Sequence, residues 1–189
     1  MPLNQVSAPA RRPDAARNRA KILAAARTAF ADPRADVSMA EVARRAGVGM
    51  ATLYRNFPGR RELLEALFAD EVDAICAAAE AMGGAAPGAE LTTWLHRFFA
   101  FITSKRPIAA ELLKHTDNAD RIFGTNRARV IAAAQPLFTA AKKAGQVRDD
   151  LTLEQALDLV IAIATIHQDS RYVEPILQAA LDGLRPQRP

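Results

Sequence analysis

Three histidines (His96, His115 and His167) and one cysteine (Cys76) are the residues with which this 189-residue chain could ligate a metal or attack a substrate. The histidines lack metal-ligand spacing, and there is no His-Glu-x-x-His run. A single cysteine excludes a disulfide framework and any multi-cysteine zinc site. Cys76 lies in the Ala-rich run AICAAAEAM and reads as a small buried hydrophobe. Asp149-Asp150 reads as an exposed turn. No Gly-rich phosphate loop and no Gly-x-Ser-x-Gly elbow occurs. The residues therefore predict no enzyme, no metal and no cofactor. What remains is the chemistry of cations toward a polyanion. Residues 1–60 hold eleven Lys/Arg against four Asp/Glu, while residues 61–189 hold fourteen against seventeen. The formal net charge of +4 thus conceals a basic first third and a mildly acidic remainder. A nucleic acid is the expected partner of the first third, with a merely solvated basic face as the plainer reading.

The basic third contains the stretch Ser38 to Phe57, SMAEVARRAGVGMATLYRNF. Ser38-x-x-Glu41 is a capping box that opens a helix to Ala46, with Met39, Val42, Ala43 and Ala46 inward. Gly47 ends it, and a second short helix runs over 49–56. Two short helices joined by a Gly-containing turn form a DNA-binding helix–turn–helix. Close crossing demands a small residue, which Ala43 supplies. The turn needs positive φ, which Gly47 adopts at little cost. Val48 and Leu53 pin the second helix inward. Gly49, Met50, Ala51, Thr52 and Arg55 remain free to face a major groove. The same pattern is also compatible with a hairpin used only for packing.

The run from Ala46 through Thr52-Leu53-Tyr54-Arg55-Asn56-Phe57-Pro58-Gly59-Arg60 to Leu64 resembles the N-terminal domain of TetR-family transcriptional regulators. The likeness covers residues 15–70. The family's usual serine after Gly-Val is here Gly49, which removes a hydroxyl cap. The aromatic-histidine pair often found before Phe57 is here Arg55-Asn56. The resemblance implies a role for each matching residue. Ser38 would contact phosphate. Thr52 and Tyr54 would touch the DNA backbone, although Tyr54 also reads as a packing aromatic. Met50 and Ala51 would lie nearest the bases, beside thymine methyls. Arg55 would reach a phosphate or a guanine edge, and Arg60 a phosphate at the start of the fourth helix. Arg17, or Arg11 and Arg12, would reach an adjacent groove.

These elements sit in a chain whose composition favours an all-α fold. It has 41 Ala and 18 Leu against 10 Ile and 9 Val. Amphipathic periodicity predicts about nine helices, over 15–31, 38–46, 49–56, 60–82, 91–105, 107–115, 120–144, 152–168 and 172–184. Asp14 reads as the first N-cap, and Pro136 should kink or split its helix. Three regions follow: a flexible basic arm (1–13), a helix–turn–helix domain (14–60), and a helical ligand-binding and dimerisation domain (61–189). Gly83 to Gly88 is the clearest linker. Helix 60–82 is the expected hinge, with Leu64, Leu67, Phe68, Val72 and Ile75 on one side.

The helix over 152–168 is apolar on two faces, so burial on both sides is required. A two-fold interface through Leu157, Val160, Ile161, Ala164, Val173, Leu177 and Leu181 is one explanation, and an ordinary monomer core is the other. Residues 91–102 (LTTWLHRFFAFI) concentrate Trp94, Phe98, Phe99 and Phe101, either as core or as the wall of the pocket that the resemblance implies. Trp94-Leu95-x-Arg97-Phe98 and Lys105-Arg106-x-x-Ala109 resemble the SbtR-like type of C-terminal domain in that family. His115 and His167 are the candidate polar groups of the pocket, or hydrogen-bonded core residues. No apolar run approaches the roughly 20 residues needed to span a bilayer, and no secretory signal is visible, so a cytoplasmic protein without a membrane partner is expected. The expected function is a homodimeric, ligand-responsive repressor on a near-palindromic double-stranded DNA operator, with an unknown small-molecule effector. Alternatives are a helical small-molecule-binding protein with a weak DNA head, and a binder of DNA without sequence choice.

Overall fold

Ala- and Leu-rich segments with apolar residues at three- and four-residue spacing form eight α-helices, and no strand occurs among the described residues. The computed structural model describes residues 11–31, 37–115 and 119–186. In chain order the helices are α1 (Arg11–Ala29), α2 (Met39–Ala46), α3 (Met50–Asn56), α4 (Arg60–Glu80), α5 (Pro87–Leu113), α6 (Ala119–Lys143), α7 (Leu153–Ala164) and α8 (Ser170–Asp182). Helices α1 to α3 pack on one another, and α1 also packs on α4. Helix α4 continues between α5 and α6, α7 lies against α5 and α6, and α8 packs on α7.

Eight helices stand where about nine were expected because the segments on either side of Pro107 form one helix, α5. An interior proline removes one amide donor and crowds the preceding turn, at a cost of about 3 kcal/mol. Beyond it Ile108 and Leu112 are buried, each stabilising the fold by about 1.5–3 kcal/mol, which offsets that loss. Helix α6 likewise runs through Pro136 unsplit, with Val130 and Ala134 buried before it and Leu137, Phe138 and Ala141 after it.

Several ends differ from the sequence expectation. Helix α1 starts at Arg11, so Asp14 is not its N-cap but lies in its first turn, where proline at position 13 is tolerated. Asp14 pairs with Arg17 at 3.2 Å. Residues 11–13 are therefore helical and not part of an arm; residues 1–10 of that arm lie outside the described residues. Helix α5 begins within the expected linker, with Pro87 in its first turn. Helix α7 is capped by Thr152, whose hydroxyl accepts from the Gln155 amide and whose amide donates back to Gln155 Oε1, but it ends at Ala164. Asp169 caps α8 by accepting from the Tyr172 amide at 3.0 Å.

The expected interface residues belong instead to the chain's own core. Leu157, Val160, Ala164, Val173, Leu177 and Leu181 are all buried within one chain, and only Ile161 is half-buried. Helices α7 and α8 pack on each other and α7 on α5 and α6, so their apolar stripes are consumed before any second copy is met. Six of the seven are therefore core residues of the single chain, and Ile161 is not fully enclosed.

Two ionic clusters fasten the first helices to the rest. Arg60, at the start of α4, donates to Glu111 Oε1 of α5 from Nη2 at 2.6 Å and from Nε at 3.0 Å. The same guanidinium donates to the Val37 carbonyl and stands 5.0 Å from the Phe30 ring centroid. About three turns further along α4, Glu71 is held by Arg27 of α1 and by Lys105 of α5, the latter at 2.9 Å. Burial alone would raise the Glu111 carboxyl, but hydrogen bonds from Lys114, Arg60 and His115 outweigh it and lower the group from 4.5 to about 2. A carboxyl depressed on folding stabilises above its unfolded pKa and loses that contribution as pH falls through the folded value. Glu111→Gln should therefore be less stable than the natural protein near neutral pH, and the gap should close between pH 4.5 and about 2. Denaturant titrations across that range measure it; parallel curves would show that Glu111 fastens nothing.

Candidate nucleic-acid interface and effector cavity

The turn between α2 and α3 depends on Gly47, whose φ of 65° and ψ of 34° are left-handed. Its amide donates to the Arg44 carbonyl at 3.2 Å, and the next amide, of Val48, to that of Ala43 at 3.1 Å. These bonds close α2 and turn the chain so that α3 crosses it. Ala43 is buried at the crossing, and Leu53 and Phe57 lie within 1% of full burial. With that side pinned, Met50 (39% exposed) and Tyr54 (45%) emerge on the other. Ala51 and Arg55 are exposed beside them, and Thr52 is half-buried. Arg55 Nη2 donates to Thr52 Oγ1 at 3.0 Å. Gly49 stands at the N-cap with no side-chain bond, as the missing hydroxyl implies. First-turn amides of α3 are thus left uncapped by any side chain, and helix N-termini of this kind favour phosphate oxygens.

Around α3 the cations differ in how free they are. Ser38 is exposed and accepts from the Glu41 amide at 3.1 Å. The reciprocal arm of the expected capping box is replaced, because Arg44 and Arg45 hold the Glu41 carboxylate at 2.6–2.8 Å. Hydrogen bonds from Arg44 and then Arg45 lower that carboxyl to about 2. Arg17 is exposed on α1. Arg19, which the sequence reading passed over, lies 4.6 Å from the Phe57 ring centroid, next to the C-terminus of α3. Its only sequence signal is membership of the basic side of α1. Arg60 departs from its expected role. Its side chain is 25% exposed and its guanidinium is engaged by Glu111, Val37 and Phe30, so it braces α5 and the residue before α2 instead of presenting a free charge to phosphate. Arg11 and Arg12 have no described side chains.

A cavity of about 410 Å³ opens between α4, α5, α6 and α7. Phe68 and Val72 come from α4, Phe98, Phe101 and Ile102 from α5, Phe123, Gly124, Asn126, Arg127 and Val130 from α6, and Leu157 and Ile161 from α7. Phe68 meets Phe123 edge-on at 5.3 Å, and Phe98 lies 6.1 Å from Phe101. Of the expected pocket residues, Phe98 and Phe101 line it. Trp94 does not: it is fully buried, donates from Nε1 to the Ile75 carbonyl at 3.1 Å, and stacks on Phe98 at 5.5 Å. It is core, and it sets the orientation of a wall residue. His115 is exposed at the end of α5, 3.2 Å from Glu111, and His167 is exposed in the loop after α7, which ends too early to carry it inward. Neither reaches the cavity wall. Leu157 and Ile161, expected at an interface, line the cavity. Phe68, Phe123, Asn126 and Arg127 were missed, because periodicity marks an inward face without saying which part of it borders empty space.

No helix among the described residues is long and apolar enough to cross a membrane. Residues 22–67 match the model of the bacterial regulatory proteins of the tetR family, and residues 86–186 that of the SbtR-like transcriptional regulator C-terminal domain. Among solved structures, a TetR transcriptional regulator from Streptomyces coelicolor is 32% identical, with 90% of this chain and 99% of that chain covered and a TM-score of 0.74. A TetR transcription regulatory protein from Mycobacterium vanbaalenii is 31% identical, covering 93% and 99%, with a TM-score of 0.75. No curated protein matches the sequence. A turn that presents α3, a helical body and matches over both parts lead to one conclusion: the chain belongs to the TetR family of DNA-binding transcriptional regulators, with a C-terminal domain of the SbtR-like type.

Proposed function

We propose that this regulator is a ligand-responsive repressor that binds a near-palindromic operator as a homodimer in the cytoplasm. The outward face of α3 is the observation that carries the reading: apolar Met50 and Ala51, hydroxyl-bearing Thr52 and Tyr54, and Arg55 lie together beside uncapped amides. Met50 and Ala51 meet thymine methyls, and Thr52 and Tyr54 bond the DNA backbone. Arg55 exchanges Thr52 for a guanine edge or a phosphate. Ser38 and Arg17 flank the contact. The DNA head ends near residue 60, and the remainder serves the effector and the second copy.

Exposed apolar residues support the dimer. Leu159 (40% exposed) and Ala162 of α7 and Tyr172 (59%), Pro175 and Ala179 of α8 leave apolar surface on the pair of helices. Joining two copies there pairs α7 and α8 with their equivalents about the two-fold axis. The two α3 helices then enter successive major grooves, about 34–36 Å apart. The effector enters the cavity at Phe68, and α4 carries the response along its length to Arg60. A coupling of about 1–3 kcal/mol changes operator affinity roughly 5- to 150-fold.

Selection of sites from a random duplex library, at a fixed near-physiological salt concentration, should recover a near-palindrome; a library without consensus would leave only charge-driven binding. On the selected operator Arg55→Ala should cost about 1–3 kcal/mol, with a smaller loss on random duplex, whereas equal losses would assign Arg55 to phosphate. Leu159→Glu should give a folded monomer by light scattering and circular dichroism. Leu177→Ala, a core substitution, should cost about 2–5 kcal/mol of stability and leave the dimer intact. The opposite pattern would move the interface back into the α7–α8 core.

A further inference from the structure

The inward positions of α6 fall at 123, 127, 130, 134, 137 and 141, the spacing of one buried helix face. Val130, Ala134, Leu137 and Ala141 are buried and Phe123 packs against the core. The remaining position is Arg127, at the cavity wall. Its Nη2 pairs with Asp158 Oδ1 of α7 at 2.8 Å, and the acid is the more exposed partner, 62% against 39%. Every other side chain lining the cavity is apolar, except that of Asn126. A pair this exposed stabilises a fold little, and two apolar residues would join α6 to α7 at least as well. Holding the helices together therefore does not account for a guanidinium in this stripe.

We propose that the cavity binds a monoanionic aromatic acid, its ring among the phenylalanines and its carboxylate on Arg127 in place of Asp158. The proposal rests on the reading of the cavity as the effector site and names the class of effector. A guanidinium presents a planar fork that matches a carboxylate with two parallel hydrogen bonds. Asp158 meets one arm of that fork, Nη2, through a single oxygen at 2.8 Å and, being the more exposed partner, returns to solvent at small cost when a ligand displaces it. Phe68, Phe98, Phe101 and Phe123 supply ring faces and edges, and the cavity's volume falls within the roughly 300–1,000 Å³ usual for small-molecule sites. Gly124, at the exposed edge of the lining, adds no side chain to the α6 wall, and no other helix comes within 4 Å of where its Cβ would stand.

The test is calorimetric titration of the full-length protein near neutral pH with three probes of one shape: 2-naphthoate, 2-naphthylmethanol and 2-naphthylmethylamine. Naphthoate should bind about tenfold or more tightly than the alcohol, and the amine most weakly. Arg127→Gln should abolish the preference for the acid while the alcohol still binds, and Asp158→Asn should tighten naphthoate by removing its competitor. Equal binding of acid and alcohol overturns the acid assignment and leaves the effector cavity standing. A preference that survives Arg127→Gln places the carboxylate elsewhere and overturns it too. If Arg127→Gln does not fold, Asp158→Asn decides alone, and an unchanged naphthoate affinity overturns the proposal. Failure of all three probes with both the natural protein and Asp158→Asn overturns the effector cavity together with the acid.

Discussion

One helix has to be buried twice. The apolar stripe of α4 begins with Leu63, Leu64 and Leu67 and continues through Phe68, Val72, Ile75 and Ala79, all buried. It packs against α1, α5 and α6. The stripe is continuous, so the DNA head and the helical body have no independent cores at this point. Phe68 stands at the junction: it belongs to the stripe and its ring borders the cavity. Anything that alters the packing of that ring acts on a rigid element whose other end, at Arg60, touches the approach to the helix–turn–helix.

Polar groups follow the same line. Glu71 lies three residues beyond Phe68 and joins α1 to α5 through Arg27 and Lys105. Arg60 joins the Val37 carbonyl, just before α2, to Glu111 near the end of α5. Both clusters are half-buried, so their charges are screened less than surface pairs and their geometry is held by packing. Two discrete fastenings between packed elements favour movement of the head as a unit over gradual deformation. Arg60 is thereby committed to bracing α4 against α5 and the residue before α2.

The cavity shows how aromatic residues divide between structure and site. Trp94 is the largest buried side chain and satisfies its indole N–H on the Ile75 carbonyl, so it anchors α5 to α4. That anchor sets Phe98 by stacking, and Phe101 follows one turn later facing Phe68. The wall is thus rigid on the α4–α5 side. On the opposite side stand Arg127, paired with Asp158, and Gly124.

Much of the local chemistry was legible in the sequence: an all-α chain, the Ser38 cap of α2, the left-handed turn at Gly47, the inward Leu53 and the outward Met50, Ala51, Tyr54 and Arg55. Each depends on a few neighbouring residues and on helical periodicity, which short-range sterics enforce. Periodicity also found the buried faces of α4, α7 and α8. What it could not show is what each face meets. Leu157, Val160 and Leu177 look alike whether their partner is the same chain or another copy, and only packing placed them in the core. Pro107 looks like a break until the burial of Ile108 and Leu112 beyond it outweighs the lost hydrogen bond. Arg60 looks like a phosphate ligand until Glu111, 51 residues later, is brought within 2.6 Å of it. His115 and His167 lay outside the cavity, and Phe68, Phe123 and Arg127 inside it, because a cavity is a gap between helices distant in sequence. Residue types set which faces must be buried and which turn presents α3; the docking of α4 through α8 decided which faces met, which charges were spent, and where space was left for a ligand.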